Sequence, residues 1–539
     1  MDPYDRLNKK TTPTMDASAQ KFIDRLFVEE TGLPSIVLME QAAGAVSRLI
    51  LDLCQSDQRV LFLAGAGNNG GDAWASARQL MAHAYDVTVV DLFPYSDLPP
   101  DANQNKRAYL ALGGHRITDD SIDLSSYAVI VDGIMGTGFR LSRPLSKDIL
   151  SLLSSINERD GVLRIAIDIP TGIEADTGAC DQVVFQADHT VTFSAVKIGL
   201  MAEPGCSFCG QIICHPISMA SQWLESVLER YQKQNTLLPR VLTGETFIDL
   251  DLSPATLSHK GCHGKTLLIG GSTGMTGAVV LMTRAAQATG VGYAYVRTIK
   301  QLIPQLLSAS PESLIDEIPG SIDDWHQLID RVDSVALGPG SGRAGWMDQS
   351  IEPLIQRAVQ LVIDADGLNH LASIKDWCNL LSSRQSRGLF PAILTPHPGE
   401  FMRLAPDLAE LLDRDRQSAA VQLAVRSGSI IVLKGHVTVI ALPTGQTFLN
   451  TSGNPSLARA GSGDVLTGLA AGFLAQLPDP IEAITLAVYF HGLLADIAVE
   501  HLGQHGVTPS KLLDYAPQAF DRLTSTRRSV RSSAGCHYD

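Results

Sequence analysis

The 539-residue chain is long enough for about two to four domains at roughly 150 residues each, which excludes a single small fold. Apolar residues make up 45% and charged residues 18%, with 46 Gly and 27 Pro; this is the balance of a folded globular protein and excludes a disordered chain. With 57 acidic and 42 basic residues the net charge is −15, so a polyanion is repelled and no nucleic-acid partner is expected.

Clean apolar stretches such as Leu466 to Leu477 fall short of the roughly 20 residues that cross a bilayer, and the N-terminus, MDPYDRLNKK, has no charged-then-apolar signal pattern. A cytoplasmic protein without membrane contact is expected. Eight cysteines are too sparse for a disulfide framework. Cys206 and Cys209 form a C-x-x-C with Cys214 and His215 close behind, but no second C-x-x-C completes a four-ligand zinc site, and they read as reduced loop cysteines.

In chain order, residues 59–193 alternate β-rich runs (RVLFLAG, DVTVVDL, YAVIVDG, VLRIAIDIP, HTVTFSA) with helical stretches such as Ala73 to Ala84 and Ala102 to Leu112. This predicts βαβ units and a mostly parallel sheet. Trp223 to Glu245 is polar, runs into Leu-Pro and lacks a strand pattern, which predicts a joint there. A second α/β series follows residue 260: KTLLIGGS, VGYAYVRT, SVALGPG, LVIDADG, AILTPHPG and IIVLKGHVTVIAL, then a long helix from Gly463. From about Ser525 the chain is Ser/Arg-rich and is expected to fray. The halves do not repeat each other's motifs, which points to two unlike domains joined in one chain.

After the strand RVLFLA comes Gly65-Ala66-Gly67-Asn68-Asn69-Gly70-Gly71-Asp72, then a helix. Gly65, Gly67 and Gly70 satisfy G-x-G-x-x-G and Asp91 ends the next strand, so one reading is a dinucleotide-binding Rossmann domain. Asn68, Asn69 and Asp72 place extra oxygens where such a loop offers only N–H groups, which suggests a cation or a hydroxylated substrate. Asp132 in IVDGIMGTGFR and Asp168 in AIDIPTG, beside Thr171, stand at further strand ends, where open α/β sheets bind ligands. Each of these acids could equally be a turn former or helix cap.

Together with LMEQAAG (Leu38 to Gly44), these motifs occur in family order across most of residues 15–215, and the segment resembles the N-terminal epimerase domain of bifunctional NAD(P)H-hydrate repair enzymes. The resemblance implies a potassium ion held by Asn69, Asp132 and Thr171. It places the hydrated nicotinamide nucleotide on the loop Asn68, Asn69, Gly70, Gly71 and Asp72, on Gly136, Thr137, Gly138, Phe139, Arg140, Leu141 and Ser142, and on Asp168. Ala66 and Ala73 depart from the family's usual Asn and Gly, and Thr171 stands where Ser is common. The hydrate's C6 carries a hydroxyl next to the ring nitrogen, so the site needs an acid/base and a positive counter-field; Asp168 is the candidate base.

The sharpest constellation is Asn454-Pro455-Ser456-Leu457-Ala458-Arg459-Ala460-Gly461-Ser462-Gly463-Asp464, which opens a helix. Gly461 and Gly463 let backbone N–H groups and the helix N-terminus face a transferring phosphoryl group, and Asp464 can take a proton from an attacking hydroxyl. Asp464 could also be a simple helix cap. Further loop motifs stand at strand ends: GGSTGMTGA (Gly270 to Ala278), LGPGSGR (Leu337 to Arg343), DADGLN (Asp364 to Asn369), TPHPGE (Thr395 to Glu400) and LKGHVT (Leu433 to Thr438). His397 sits between prolines on a stiff loop. Glu400 could orient a magnesium-bound water or cap the next helix, and Lys434 could contact phosphate or snorkel from a strand end.

Across residues 246–520 these motifs resemble the ribokinase-like superfamily, and more closely the dehydratase domain of the same repair enzymes. That implies a nucleotide site on Lys434, Gly435, His436, Val437, Thr438 and Gly463, and a hydrate site on Ala278, Gly340, His397 and Asp464. Ser462 replaces the family's usual Thr and keeps its hydroxyl.

The expectation is an α/β protein with an N-terminal Rossmann-like parallel-sheet domain (1–222), a linker (223–245), a ribokinase-like α/β domain (246–525) and a frayed tail (526–539). It is expected to interconvert R and S NADHX and NADPHX using potassium, to restore NAD(P)H from the S form using ADP, as the fused two-domain order suggests by analogy, or else ATP, with magnesium, and to form a homo-oligomer. The rival readings are a small-molecule kinase fused to a regulator, and a non-catalytic binding or dimerisation module at the N-terminus.

Overall fold

The computed structural model describes residues 7, 10–118, 122–235, 237–250, 256–342 and 345–533. The chain divides into two compact units: Pro13–Pro239, and Arg240–Asp539 together with Met1–Thr12.

In the first unit, β1 (Val60–Ala64), β2 (Val87–Asp91), β3 (His115–Ile117), β4 (Val129–Gly133), β5 (Leu163–Ile167), β6 (His189–Phe193) and β7 (Gln211–His215) form a seven-stranded sheet ordered β3-β2-β1-β4-β5-β6-β7. All its pairings are parallel. A parallel sheet is covered on both faces, so its central strands are apolar throughout, and β1 and β4 are buried at every position. Side chains still alternate: Val60, Phe62 and Ala64 join one core, and Leu61 and Leu63 the other. The chain order reverses between β1 and β4, and ligands of open α/β sheets bind outside the strand ends at such a switch point. The glycine motif follows β1, and Asp132 lies near the end of β4.

The second unit contains β8 (Arg240–Leu242), β9 (Lys265–Ile269), β10 (Tyr293–Thr298), β11 (Leu314–Glu317), β12 (Ser334–Leu337), β13 (Gln360–Ile363), β14 (Ile393–Leu394), β15 (Ile430–Leu433), β16 (Thr438–Ala441) and β17 (Thr447–Asn450). They run β11-β10-β9-β12-β13-β14-β15-β16-β17-β8, parallel as far as β15 and antiparallel across β15-β16-β17. The run IIVLKGHVTVIAL is thus two strands around a turn. The helix Pro480–Gly506 is long and apolar enough to cross a bilayer, but 89% of its most apolar window is buried inside the protein. It is a core helix.

Helices Thr276–Ala288 and Ser462–Gln476 touch closely because Gly468 has no side chain: a Cβ there would stand 2.1 Å from the Met282 carbonyl oxygen. Overpacking of this kind costs about 1–3 kcal/mol. Gly468→Ala is therefore expected to lower the Tm of the second unit by several degrees in calorimetry, and an unchanged transition would show that the helices can separate freely.

Two expectations about boundaries change. The stretch 223–245 is structured, with helix Ser221–Gln232 burying Leu224, Val227, Leu228 and Tyr231 in the first unit and β8 belonging to the second. Those positions are one amphipathic stripe, which the polar composition masked. Helix Ala516–Ser533 runs on through much of the stretch expected to fray; residues 534–539 lie outside the described residues.

Candidate active sites

The first site starts from the glycines after β1. A Cβ on Gly65 would stand 1.9 Å from the Ile134 carbonyl oxygen, and one on Gly70 2.0 Å from that of Gly65, so both positions require glycine for close backbone approach; Gly67 has open space. Helix Asn68–Met81 begins within the motif, and Gly67 provides no capping side chain for its first N–H groups, which leaves them available to an anion.

Asn68, Asn69, Asp72, Gly136, Thr137, Gly138 and Asp168 line one cavity of ≈ 380 Å³. Gly70 and Gly71 are buried in the helix start. The far end of the implied segment stands apart from this cavity. Phe139 is buried in the core, Arg140 pairs with Asp176 at 3.0 Å, the Leu141 N–H donates to Glu174 at 3.3 Å, and Ser142 is exposed.

Asn69, Asp132 and Thr171 gather around Met135. The Asn69 amide donates to the Met135 carbonyl at 3.0 Å, and the Thr171 hydroxyl accepts from the Met135 N–H at 3.0 Å. Asp132 accepts the Thr171 hydroxyl and N–H, each at 2.7 Å, and the Ile134 N–H at 3.1 Å. Burial pushes its carboxyl up to about 6 against the pull of these donors, and no lysine or arginine among the described residues pairs with it. Asp132 is thus a fully buried acid without an ion-pair partner among the described residues, held by two N–H groups and the Thr171 hydroxyl. A buried carboxylate with no cationic partner beside a neutral hydroxyl is the kind of donor set a large monovalent cation accepts.

Asp168 adopts φ +66°, a left-handed conformation uncommon for a residue with a side chain. Its carboxylate takes Lys197 Nζ at 2.7 Å and the Thr192 hydroxyl at 3.0 Å. Lys197 is fully buried and also donates to the Phe193 carbonyl at 2.8 Å; its backbone pairs with Met15. The sequence motifs did not reveal Lys197 or Asp24, which lines the same cavity.

In the second site, a cavity of ≈ 730 Å³ is lined by His397, Glu400, Lys434, Gly435, His436, Thr438, Asn454, Gly461, Ser462, Gly463 and Asp464, among others. Gly461 caps helix Ser462–Gln476 at φ +95°, which places Gly463 and Asp464 in its first turn. Burial, with Asp364 nearby, raises the Asp464 carboxyl to about 6. Lys434 Nζ lies 2.8 Å from Asp364, whose other oxygen accepts the Thr467 hydroxyl at 2.7 Å. Burial alone would raise Asp364, but Lys434 together with the Thr467 and Thr395 hydroxyls outweighs it and holds the carboxyl below its usual range. Burial likewise opposes the charge on Lys434, yet Asp364 and Glu400 keep it raised.

His397 and Glu400 form a reciprocal helix cap. His397 Nδ1 accepts from the Gly399 and Glu400 N–H groups at 3.0 and 3.3 Å, and Glu400 accepts the His397 N–H at 2.9 Å. With Nδ1 accepting, the proton sits on Nε2, 3.4 Å from Glu400. His491, buried at 3.3 Å from the Ser462 hydroxyl, is lowered to about 4 by burial and by Lys434. Three expected residues do not line this cavity: Val437 is buried, while Ala278 and Gly340 lie against each other, a Cβ on Gly340 standing 2.9 Å from that of Ala278. Arg343 lies outside the described residues. Among the described residues no group of three or more His, Cys, Asp or Glu could hold a metal.

A doubly wound sheet with a ligand cavity at its switch point, followed by an α/β unit with a lysine, glycines and an acid at a helix N-terminus, defines a two-domain enzyme with a nucleotide-type and a phosphoryl-transfer-type site. Residues 35–199 match the family model described as YjeF-related protein N-terminus, and residues 266–518 the one described as NAD(P)H-hydrate dehydratase. The chain is 34% identical to the bifunctional NAD(P)H-hydrate repair enzyme of Thermofilum pendens, over 95% of this chain and 96% of the relative. It is 34% identical to that of Moorella thermoacetica (93% and 95%) and 31% identical to that of Escherichia coli (91% and 90%). The solved structure of the ADP/ATP-dependent NAD(P)H-hydrate dehydratase from Bacillus subtilis, co-crystallized with ATP/Mg2+, is 31% identical with a TM-score of 0.46, over 52% of this chain and 97% of that one. The chain belongs to the bifunctional NAD(P)H-hydrate repair enzymes, and its function is metabolite repair.

Proposed function

We propose that the first unit interconverts R and S NADHX and NADPHX, and that the second restores NAD(P)H from the S form with ADP or ATP as phosphoryl donor, in the cytoplasm. The observation that carries this is Asp464 in the first turn of a glycine-capped helix, sharing a cavity with Lys434. Asp464 takes the proton of the C6 hydroxyl as that oxygen attacks the terminal phosphorus, and the P–O bond to the rest of the donor breaks, releasing AMP from ADP or ADP from ATP. The C6–O bond then breaks as the ring nitrogen pushes, phosphate departs, and loss of the C5 proton restores the ring double bond. No protein nucleophile is required. Lys434, backed by Asp364, sits to bind phosphate as a fixed charge. Magnesium characteristically arrives with substrate phosphates, where it would neutralise developing charge, with Glu400 as the carboxylate able to orient its water.

In the first unit Asp168 is the base and Lys197 its positioning partner, with Asn69, Asp132 and Thr171 as the potassium site, which when filled supplies a positive field near the substrate. The test is to incubate R/S NADHX with ADP or ATP and follow NADH absorbance. Return of absorbance that depends on nucleotide is expected; a stable phosphorylated product would instead indicate a kinase. Because Asp464 must be ionised to act and is raised to about 6, kcat/KM for dehydration is expected to fall as pH drops through about 6. A profile flat down to about pH 5 would remove Asp464 as the base.

A further inference from the structure

The first cavity contains more acid than one base accounts for. Asp168 has a buried cation at 2.7 Å, whereas Asp24, on helix Ala17–Thr31, lines the same cavity and takes the neutral amide of Gln20 at 2.7 Å, one turn earlier on the helix. No lysine or arginine among the described residues forms an ion pair with Asp24. Two carboxyl groups from separate elements thus face one cavity with opposite electrostatic support. Moving a hydroxyl from one face of a ring to the other needs a proton donor where the old C–O bond breaks and an acceptor where the new one forms, and one carboxyl cannot stand on both faces.

Resting on the epimerase reading, we propose that Asp24 is a second catalytic proton-transfer group of the epimerisation, paired with Asp168. As the ring nitrogen's electron pair expels the C6 oxygen, Asp24 gives it a proton and it leaves as water. Water then adds to the iminium carbon from the other face and loses a proton to Asp168. One C–O bond breaks and one forms, and the proton that has passed from Asp24 to Asp168 returns through solvent. The reverse reaction starts from the swapped protonation state. Burial pushes Asp24 up to about 6, with Gln20 and Lys197 opposing and Asp168 adding to the rise, so a proton is available there while the lysine-paired Asp168 accepts. Lys21, Asp72 and Asp101 complete the charged lining. One carboxyl ion-paired to a buried lysine and one held only by a neutral amide are unlike surroundings of the kind that divide acid from base.

The test uses the full chain with Asp24→Asn and Asp24→Glu, reading R-to-S exchange by chromatography and nucleotide-dependent NADH return from the S form as the internal control. Asp24→Asn is expected to lower kcat for exchange by roughly 100-fold or more, the usual cost of losing a general acid. KM should stay nearly constant, Asp24→Glu should recover part of the rate, and NADH return from the S form should be unchanged. Wild-type kcat/KM should fall above about pH 6, and that limb should vanish in Asp24→Asn. Exchange within about twofold of wild type, or a loss confined to KM with the pH limb kept, would overturn the proposal. Should Asp24→Asn fail to fold, a wild-type profile without the limb overturns it. Absence of exchange in the wild-type chain would reject the epimerase reading itself, a separate outcome.

Discussion

Asp464→Asn is expected to lower nucleotide-dependent restoration of NADH by roughly 100- to 10,000-fold, the usual cost of removing a general base, while R/S interconversion continues at the wild-type rate. The asymmetry follows from placement. Asp464 lies in the first turn of helix Ser462–Gln476 in the second unit, and Asp168 directly follows β5 in the first. The substitution keeps the size of the side chain and should not disturb the Gly461 cap. Steady-state assays of both reactions on one preparation check this. Loss of both activities in a folded variant would contradict two independent sites.

The second large effect concerns potassium. Exchange by the full chain is expected to run faster in potassium than in tetramethylammonium at matched ionic strength, and potassium is expected to raise the Tm of the first unit. Asp132→Asn keeps the shape but removes the charge, so both responses should disappear and the rate fall by about 100-fold, as for loss of a preorganised electrostatic group. Asp132→Ala is a poorer probe. It would also strand the Thr171 and Ile134 donors that Asp132 satisfies, and each unpaired buried donor costs about 1–3 kcal/mol. Equal rates and equal Tm in the two salts would reduce Asn69, Asp132 and Thr171 to a structural knot.

Strand-end motifs were legible because their chemistry and their geometry coincide. Gly65 and Gly70 are demanded by backbone contacts, Gly461 by a positive φ, and each leaves a glycine at a fixed offset from a strand or helix. Contacts made between distant segments leave no such mark. Lys197 sits in FSAVKIG without a motif, and only the fold brings it to Asp168. Asp24 reads as one polar position on an amphipathic helix. Asp364 was visible within DADGLN, but its role depends on Lys434, 70 residues later. The helix Ser221–Gln232 was hidden by composition, since its four buried residues are diluted by polar ones. His397, expected in the hydrate site, lines the second cavity and is also half of a helix cap, a role its spacing to Glu400 already allowed.

The most direct measurement starts from purified R-NADHX, potassium and a phosphoryl donor, and follows NADH absorbance with Asp168→Asn, Asp464→Asn and an equimolar mixture of the two. Asp168→Asn should return NADH only as fast as the epimers interconvert spontaneously, and Asp464→Asn should accumulate S-NADHX without forming NADH. The mixture should restore NADH production, because each chain supplies the site the other lacks. A mixture no faster than the Asp168→Asn chain alone, although each variant keeps its remaining activity, would contradict a division of the repair into two self-sufficient sites.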